Sequence, residues 1–596
     1  MNHWQLKEQA LEEFHAQFPE FSKLTRNLLW QRGLKNQKDI DEFFNPDYSA
    51  DLHDPLLLKN ADKAVERVFK AFEKKEKVMI YGDYDADGVC GATIVYNALQ
   101  DIGFDKDKLG AYLPDREKEG YGLNVGAVMQ FVKEKYNLII TIDCGTTSHE
   151  AIGIAKDNGI DTVVLDHHRV IEAPPDCAAF VNPHQEDDEY PWKDLCGAAV
   201  AFKIACALYK KANVEEGFEK WLLDLAALAT VTDVMPLLGE NRTLVKYGLF
   251  VLAQAQRVGM RALMEISGIK PTFSESSLST NLNPFTLGFL LGPRLNAAGR
   301  MDHANSAFAL LNTDSYEKAL ELARHINERN RERQALVKEI IQQVEERLQS
   351  HSSDTRDTND SDRPNAHSQP LVVFEGDASW PIGVAGLVAG RIAEKYYRPA
   401  FIYQIKEDGN AAGSVRTIPG FHVVRALESV EDTLINFGGH PQAGGFTVPQ
   451  GKLEEMKKRI EAFAKANLTR EDLIKKIGYC AEAKPEDISW QVYEELERFE
   501  PFGEANREPI FLLKRVNVLS IDKVGKDNGS GSGKKHLRLW LDISGTKRKA
   551  MGFFMGERGD ELSLGESIDM LFNLAIDEWN GSRELMLRVL DFRRTE

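Results

Sequence analysis

Three short apolar segments, each next to a helical pattern, constrain the fold of this chain most strongly. They read VMIYG at 78–82, NLIITID at 137–143 and DTVVLDHH at 161–168. Short apolar strands that alternate with helices are typical of β-α-β units, in which parallel strands are covered by helices on both faces. From about residue 51 to residue 233 the sequence therefore predicts a parallel α/β sheet.

Acidic and imidazole side chains stand where each of these predicted strands ends. Neighbouring parallel strands end at the same edge of a sheet, where ligands bind, so we expect these side chains to converge. Clustered carboxylates repel one another unless a cation neutralises them. Carboxylates with one or two imidazoles suit Mn²⁺ or Mg²⁺ better than zinc. The candidate ligands are Asp83, Asp85 and Asp87 after the first strand, Asp143 after the second, Asp166, His167 and His168 after the third, and Asp233 at the end of a helical apolar run.

The segment DYDADG at 83–88 also begins like the calcium loop of an EF-hand. That loop requires Glu at its twelfth position, where this chain has Ile94. An EF-hand loop also follows a helix, whereas DYDADG follows a short apolar strand pattern. A catalytic metal site is therefore the better interpretation.

Composition divides the remainder of the chain. Residues 351–370 are polar and acidic, with too little apolar surface to become ordered. From residue 509 onward short apolar segments alternate with polar turns, as in a small β-barrel, and Trp540, Phe553 and Phe554 are predicted to be core residues. The predicted divisions are an N-terminal helical segment (1–50), a parallel-sheet domain (51–260), a connecting region (261–350) whose long linker helix runs between residues 313 and 351, a disordered insertion (351–370), a second α/β domain (371–465) and a β-barrel (470–596).

Charge and composition limit the function classes. A net charge of −18 argues against a protein that binds nucleic acid through its bulk field. Residues 512–555 nevertheless carry ten Lys or Arg against three Asp, a local excess that suits a nucleic-acid groove or a solvated hairpin. Six cysteines without CxxC spacing indicate neither a zinc knuckle nor a disulfide framework. The absence of a long apolar run and of a signal peptide pattern predicts a cytoplasmic protein without membrane contact.

DYDADG, Asp143, the Asp166-His167-His168 triplet and TDVMP at 232–236 together resemble the DHH phosphoesterase superfamily. Within it, several motifs resemble the RecJ family of bacterial single-strand-specific 5′→3′ DNA exonucleases, and the resemblance runs from about residue 25 to the C-terminus. Two alternatives are a DHH phosphodiesterase for short RNA or cyclic dinucleotides, and a non-catalytic DNA-binding scaffold. The motifs are GYGL at 120–123, GPRLNAAGRM at 292–301, GSVRTIPGFH at 413–422, GGHPQAGGF at 438–446 and EPFGEAN at 500–506.

The resemblance implies a DHH domain, a DHHA1 domain and an OB-fold barrel, with two Mn²⁺ or Mg²⁺ ions in the first. It makes Asp143 the bridging ligand and gives catalytic roles to His168, which faces the scissile phosphate, and to Asp166. Family members often carry histidine where this chain has Tyr81, which leaves open whether Asp83 coordinates a metal or lies behind the ligands. The remaining implied ligands are Asp85, Asp87, His167 and Asp233.

The resemblance also implies how a DNA strand with a 5′ end is held. Arginine side chains bind phosphate bidentately, and small residues let backbone amides approach it. Val415 stands where the family usually has glycine. The implied substrate is single-stranded DNA, and a helicase and a single-strand-binding protein are further candidate partners. The resemblance also implies a monomer that acts in DNA repair and recombination. The candidate substrate-binding residues are Arg116, Arg294, Arg300, Ser414, Arg416 and His440.

Overall fold

The structure is a computed structural model that describes residues 2–116, 118–301, 304–354, 370–525, 535–579 and 582–595. Most of the predicted disordered insertion therefore lies outside the described residues. No helix within the described ranges is both long and apolar enough to cross a membrane. The chain forms two compact units, one of Met1–Leu52, Pro236–Thr243 and Lys476–Glu596, the other of His53–Met235 and Leu244–Lys475.

The segment predicted as helical, residues 1–50, contains one strand and four helices. Its apolar side chains, including Phe14 and Leu28, share one hydrophobic core with strands from the C-terminal part of the same unit. The elements are β1 (His3–Leu6), α1 (Glu12–Gln17), α2 (Lys23–Gln31), α3 (Gln37–Phe44) and α4 (Tyr48–Asp51).

The second unit begins with the predicted parallel sheet. The elements are α5 (Ala61–Lys74), β2 (Val78–Gly82), α6 (Ala86–Asp101), β3 (Leu109–Tyr112), α7 (Val125–Lys133), β4 (Leu138–Ile142), α8 (His149–Asp157), β5 (Asp161–Leu165), β6 (Ala179–Val181) and α9 (Gly197–Ala212). The strand order is β3-β2-β4-β5-β6, and every neighbouring pair is parallel. Every residue of β2 and β4 is buried, as expected for strands covered by helices on both faces.

A mainly helical region follows the sheet. It contains α10 (Leu223–Thr232), α11 (Gly239–Ala253), α12 (Val258–Ile266), β7 (Phe273–Ser274), β8 (Ser279–Thr280), a π-helical segment (Thr286–Leu291), α13 (Gly292–Met301), α14 (Asn305–Leu311) and α15 (Tyr316–Asp354). The predicted long helix is present as α15, which spans 39 residues. Its last four residues fall within the segment that was predicted to be disordered.

The second α/β domain contains β9 (Val373–Asp377), α16 (Ile382–Tyr396), β10 (Ala400–Ile405), β11 (Asn410–Arg416), α17 (Val423–Glu428), β12 (Asn436–His440), β13 (Ala443–Pro449) and α18 (Leu453–Asn467). The sheet order is β12-β13-β11-β10-β9, with β9 and β10 parallel and the other pairs antiparallel. Ile340 and Val344 of α15 enter one of this domain's hydrophobic cores beside Trp380 and Val388.

The first unit closes with β14 (Lys476–Tyr479), β15 (Ala481–Glu482), α19 (Trp490–Glu497), β16 (Phe511–Val524), β17 (His536–Ile543), β18 (Thr546–Gly552), β19 (Ser567–Trp579) and β20 (Ser582–Arg594). β1 pairs with β14 in parallel. The order β16-β17-β18-β20-β19 closes through a β16–β19 pairing, so the barrel is complete. The predicted architecture of two α/β domains, a long joining helix and a C-terminal barrel is therefore confirmed.

The prediction that Phe553 and Phe554 belong to the barrel core is wrong. β18 ends at Gly552, so both rings lie in the following turn, where they are 48% and 81% exposed. Trp540, on β17, is partly buried, and Lys547 Nζ lies 4.4 Å from its ring centroid.

Candidate metal centre

The turn between β2 and α6 presents the first acidic side chains. Asp85 is the N-cap of α6, and its Oδ1 accepts hydrogen bonds from the backbone amides of Asp87 (2.9 Å) and Gly88 (3.3 Å). This cap uses one carboxylate oxygen and leaves the other available. Asp83 is 4% exposed, and its Oδ1 has no hydrogen-bond partner within the described residues.

The start of α9 fixes the carboxylate of Asp87. Its two oxygens accept hydrogen bonds from the backbone amides of Gly197 and Ala198, each at 2.7 Å. The positive end of the helix dipole favours this arrangement. A side chain at position 197 would collide with Asp143, because a Cβ there would lie 2.6 Å from Asp143 Cβ. Gly197 and Ala198 could not be found from the sequence, because the motif DYDADG does not indicate which helix start lies opposite.

Asp143 follows β4 in a strained backbone conformation. Its φ of +60° is uncommon for a residue other than glycine, and such strain is concentrated at functional sites. Its amide donates to the Leu165 carbonyl at 2.9 Å, which holds it at the sheet edge. One carboxylate oxygen, Oδ1, lies 3.1 Å from Nε2 of His167.

The predicted ligands converge on this edge in three overlapping groups. Nε2 of His167 lies 3.7 Å from Asp87 Oδ2 and 3.6 Å from Asp233 Oδ2. Asp143 belongs to two groups and His167 to two. The groups, each with its ligand atoms within 4.8 Å of one another, are Asp83-Asp85-Asp143, Asp87-His167-Asp233 and Asp143-His167-His168.

The electrostatics of these groups fit divalent cations. Burial, followed by repulsion from neighbouring carboxylates, raises the pKa of Asp83, Asp85 and Asp143, and raises the pKa of Asp233 to about 9. Burial lowers the pKa of His167, which favours the neutral imidazole that binds metals. Oδ2 of Asp233 has no hydrogen-bond partner within the described part of the chain, like Oδ1 of Asp83. An oxygen-rich set with one imidazole suits Mn²⁺ or Mg²⁺.

Asp166 lies behind His168. It is fully buried and accepts hydrogen bonds from the Thr146 amide (2.9 Å), the Thr146 hydroxyl (2.6 Å) and Nδ1 of His168 (2.8 Å). Burial alone would raise the pKa of Asp166, but the hydrogen bonds from His168 and Thr146 outweigh it and hold the pKa below its usual range. Burial alone would lower the pKa of His168, but Asp166 outweighs it and raises that pKa to about 9. The Tyr121 hydroxyl lies 3.0 Å from Nδ1 of His168.

Tyr81 takes no part in these groups. It is fully buried within the hydrophobic core of the sheet domain, and its hydroxyl donates to the Gly122 carbonyl at 2.8 Å. The position at which family members often carry histidine is therefore a packing position in this chain. Asp83, by contrast, stands with Asp85 and Asp143.

Helix α13 docks directly on the acidic turn. The side-chain oxygen of Asn296 accepts a hydrogen bond from the Ala86 amide at 2.7 Å. Gly299 allows a close approach, because a Cβ there would lie 2.3 Å from the Tyr84 carbonyl oxygen. The motif GPRLNAAGRM therefore positions the acidic turn as well as supplying cations. The arginines of this motif were predicted to bind substrate, whereas Asn296 and Gly299 were not predicted to have a role.

Four of the six predicted substrate-binding residues lie near the start of α16. Arg300 donates to the Gly383 carbonyl at 3.1 Å. A Cβ at Gly386 would lie 3.1 Å from Oγ of Ser414 and 3.2 Å from Nη2 of Arg416. The guanidinium of Arg116 lies 4.9 Å from the ring centroid of Tyr84, and its positive charge contributes to lowering the pKa of Arg300 and Arg416, although burial is the larger cause.

The other two predicted substrate-binding residues are Arg294 and His440. Arg294 donates to the side chain of Asn327 on α15 at 3.0 Å. His440 is exposed on the edge strand β12. It stands opposite Ala443 of β13, and Ala443 in turn stands opposite Arg416 of β11. Residues that stand opposite each other lie on the same face, so His440 and Arg416 share one face of the sheet. Val415 points to the opposite face, where it is fully buried in the hydrophobic core. Its replacement of glycine therefore leaves the face of Ser414 and Arg416 unobstructed.

Three family models match the chain: the N-terminal domain of the DHH family over residues 77–230, the DHHA1 domain over residues 368–466 and the RecJ OB domain over residues 481–591. The fold and the site thus define a metal-dependent phosphoesterase of the DHH class. RecJ of Bacillus subtilis (strain 168), a single-stranded-DNA-specific exonuclease, is 33% identical over 569 residues, which cover 95% of this chain and 67% of that protein. The chain belongs to the RecJ family of single-stranded-DNA-specific exonucleases.

Solved structures agree with this assignment. The crystal structure of RecJ from Thermus thermophilus in complex with Mn²⁺ matches with a TM-score of 0.80 and 27% identity, covering 100% of this chain and 80% of that chain. The corresponding Mg²⁺ complex matches with a TM-score of 0.74 and 26% identity, covering 100% of this chain and 79% of that chain.

Proposed function

We propose that this chain hydrolyses single-stranded DNA from the 5′ end to 5′-mononucleotides, with two Mn²⁺ or Mg²⁺ ions bound at the edge of the parallel sheet. One observation carries the proposal: two groups of ligands, Asp83-Asp85-Asp143 and Asp87-His167-Asp233, lie beside each other, and Asp143 contacts both. Asp143 would accordingly be the ligand that both ions share, and Asp83 would join the ligand set. A non-catalytic scaffold would not need so many candidate metal ligands in one place.

Two divalent ions held by these residues would polarise the phosphate, activate a water molecule and stabilise the leaving oxygen. The chain's own contribution is to orient the strand and supply a proton donor. Because Nδ1 of His168 is bonded to Asp166, the other ring nitrogen, Nε2, is left to meet a phosphate oxygen. A proton on Nε2 would let His168 donate a hydrogen bond to that oxygen, while Asp166 keeps the ring in position.

The cations near the start of α16 support recognition of the 5′ end. Arginine forks and a hydroxyl form charge-assisted hydrogen bonds with phosphate oxygens, and Arg116, Arg300, Ser414 and Arg416 offer these groups together. A terminal phosphate has more negative charge than an internal one. This site therefore favours a strand that enters by its 5′-phosphate.

Polarity is tested with single-stranded oligonucleotides labelled at the 5′ or the 3′ end and digested in Mn²⁺. We expect the 5′ label to appear at once in mononucleotide and the 3′ label to persist in progressively shorter products. Release of the 3′ label first contradicts the proposal. Long DNA is compared with RNA of two to five nucleotides, and faster cleavage of the short RNA would favour the phosphodiesterase alternative.

Asp166→Asn is expected to lower kcat about tenfold, because the partner that orients a functional histidine is worth about 10–100-fold. The substitution keeps the shape of the side chain but weakens its hold on Nδ1 of His168. Single-turnover digestion at saturating Mn²⁺ measures the effect. Asp157→Asn, an exposed position at the end of α8, is the matched control and should behave as wild type. A wild-type rate for Asp166→Asn would remove Asp166 from the mechanism.

We also propose a monomeric, cytoplasmic enzyme of DNA repair and recombination that receives single strands from a helicase and a single-strand-binding protein. This rests on the substrate, since single-stranded DNA with a free 5′ end must be generated and kept unpaired by other proteins. The basic residues of the barrel strands, including Lys514, Arg538 and Lys547, are the part of the chain that we assign to guiding the strand.

A further inference from the structure

The motif EPFGEAN at 500–506 supplies none of the ligands and cations described above. It packs instead around the segment Pro236–Thr243, and both belong to the first unit. The amide of Leu237 donates a hydrogen bond to the Glu504 carbonyl at 2.9 Å. A Cβ at Gly503 would lie 2.5 Å from Cδ1 of Leu237, so a larger residue there would push Leu237 away.

Arg242, in the same segment, is buried among backbone carbonyls. It is 2% exposed, and burying a charged group costs free energy unless its donors are satisfied. A guanidinium has five N–H donors, and carbonyls at and beyond a helix end lack partners within the helix. Four of the acceptors directly follow α19. The acceptors are the carbonyls of Phe43 (2.9 Å), Arg498 (3.1 Å), Phe499 (2.9 Å), Glu500 (2.5 Å) and Pro501 (3.4 Å).

Asn506 binds two of the same carbonyls. Its fully buried side chain donates to Phe499 at 2.7 Å and to Pro501 at 2.9 Å, and its Oδ1 accepts from Nε of Arg32 at 2.6 Å. We refer to Arg242, Gly503 and Asn506 together as the clamp. The clamp fixes the segment 236–243 by hydrogen bonds and close packing.

The chain just before the clamped segment is strained. Helix α10 ends at the C-cap Asp233, and the amides of Val234 and Met235 donate to the carbonyls of Val231 (3.3 Å) and Thr230 (3.0 Å). In this type of helix end the left-handed residue is usually glycine, but here it is Val234, with a φ of +59°. A β-branched residue keeps such a conformation only where the surrounding structure imposes it. Val234 is 63% exposed, so its own packing does not impose it.

We propose that the clamp holds Val234 in this conformation and thereby keeps the Asp233 carboxylate at the metal centre, which makes Arg242 a positioning residue. Asp233 is three residues from Pro236, so helix α10 fixes one end of this short connection and the clamp fixes the other. Oδ2 of Asp233 has no hydrogen-bond partner among the described residues, so its place depends on the backbone. The inference rests on the proposed two-ion function.

The test is a titration of the metal-free full chain with Mn²⁺, in which electron paramagnetic resonance counts the free ion and the Tm of each protein is recorded. Wild type is compared with Asp233→Asn, Arg242→Met and the double variant Arg242→Met with Val234→Gly. Asp233→Asn shows what loss of this ligand does to Mn²⁺ binding.

Two controls separate positioning from stability. Arg507→Met removes an arginine that is 75% exposed and pairs with Glu504 beside the same motif. Leu587→Ala removes a fully buried side chain from the barrel and therefore lowers the stability of the same unit. Both controls should bind Mn²⁺ as wild type does, Leu587→Ala in spite of its lower Tm.

We expect Arg242→Met to weaken one of the two ions about tenfold, as loss of a group that supports a metal ligand does, and to leave the other ion unchanged. Adding Val234→Gly should restore the affinity, because glycine adopts a positive φ without support from the clamp.

Unchanged Mn²⁺ affinity in Arg242→Met overturns the proposal, whatever happens to its Tm. A loss that Val234→Gly does not restore also overturns it, because the clamp would then not act through Val234. If Arg242→Met does not fold, Gly503→Ala displaces Leu237 with the buried charge in place and is judged by the same two criteria, alone and with Val234→Gly.

Asp233→Asn separates this inference from the proposed function. If wild type and Asp233→Asn bind Mn²⁺ alike, the proposed two-ion function fails, and the inference fails with it. If Asp233→Asn weakens one ion and the clamp variants do not, the inference alone fails.

Discussion

Asp143→Asn is expected to lower kcat by about a thousandfold or more and to raise the thermal stability of the metal-free protein. The loss of activity follows because Asp143 contacts both ligand groups, and a thousandfold corresponds to about 4 kcal/mol of barrier. Asparagine is the most conservative replacement, since it tolerates the positive φ that position 143 requires. The fold should therefore be retained.

The gain in stability follows from the sign of the pKa shift. Burial and repulsion from Asp87 and Asp85 raise the pKa of Asp143 above its unfolded value. A carboxylate whose folded pKa is raised destabilises the fold at every pH above its unfolded pKa, and the cost grows until the folded pKa is reached. At pH 8 without metal, Asp143→Asn removes that cost.

Differential scanning calorimetry with and without Mn²⁺ measures both effects. Mn²⁺ should raise the Tm of wild type by mass action and raise that of Asp143→Asn by much less. Asp157→Asn is the control and should follow wild type in both conditions. A metal-free variant that is less stable than wild type, or one that retains wild-type turnover, would contradict the role of Asp143.

Arg416→Gln is expected to lower kcat/KM about a hundredfold on strands with a 5′-phosphate and much less on strands with a 5′-hydroxyl. Hydrogen bonds to charged groups contribute about 1.5–3 kcal/mol, and about 1.4 kcal/mol corresponds to tenfold. The guanidinium of Arg416 lies above Gly386 at the start of α16, beside Ser414. Glutamine can still donate a hydrogen bond there, but it lacks the positive charge of arginine and its bidentate hydrogen bonding to phosphate.

Initial rates on the two substrates measure this discrimination directly. Arg425→Gln is the matched control, because Arg425 is exposed on α17 in the same domain. Equal losses on both substrates would show that Arg416 does not read the terminal phosphate.

The sequence was sufficient to predict the sheet and most of its acidic edge. Each buried strand of β2, β4 and β5 is short, apolar and followed directly by a polar side chain, so the pattern determines both the strand and the place where its ligands stand. Asp233 could be found because it ends an apolar helix, α10.

The contacts that support the ligands could not be predicted, because they join distant parts of the chain. Nothing near Asp87 in the sequence indicates that the amides of Gly197 and Ala198 bind it, and nothing near Ala86 indicates Asn296. The role of Asp83 stayed open for a similar reason, since only the fold shows that Tyr81 is a core residue.

The barrel shows a limit of the strand pattern. KAMGFFMG at 549–556 reads as one apolar strand, but β18 ends at Gly552 and the chain turns. Phe554 adopts a φ of +59° there, and its backbone amide donates to Nδ1 of His536 at 3.0 Å. An apolar run alone does not indicate where such a turn begins.

The central claim is that two adjoining ligand groups hold two ions and that Asp143 serves both. The most direct test is a titration of the metal-free protein with Mn²⁺, in which electron paramagnetic resonance counts the free ion. We predict two bound ions per chain, magnetically coupled through the shared carboxylate, and loss of that coupling in Asp143→Asn. A single bound ion per wild-type chain would contradict the claim.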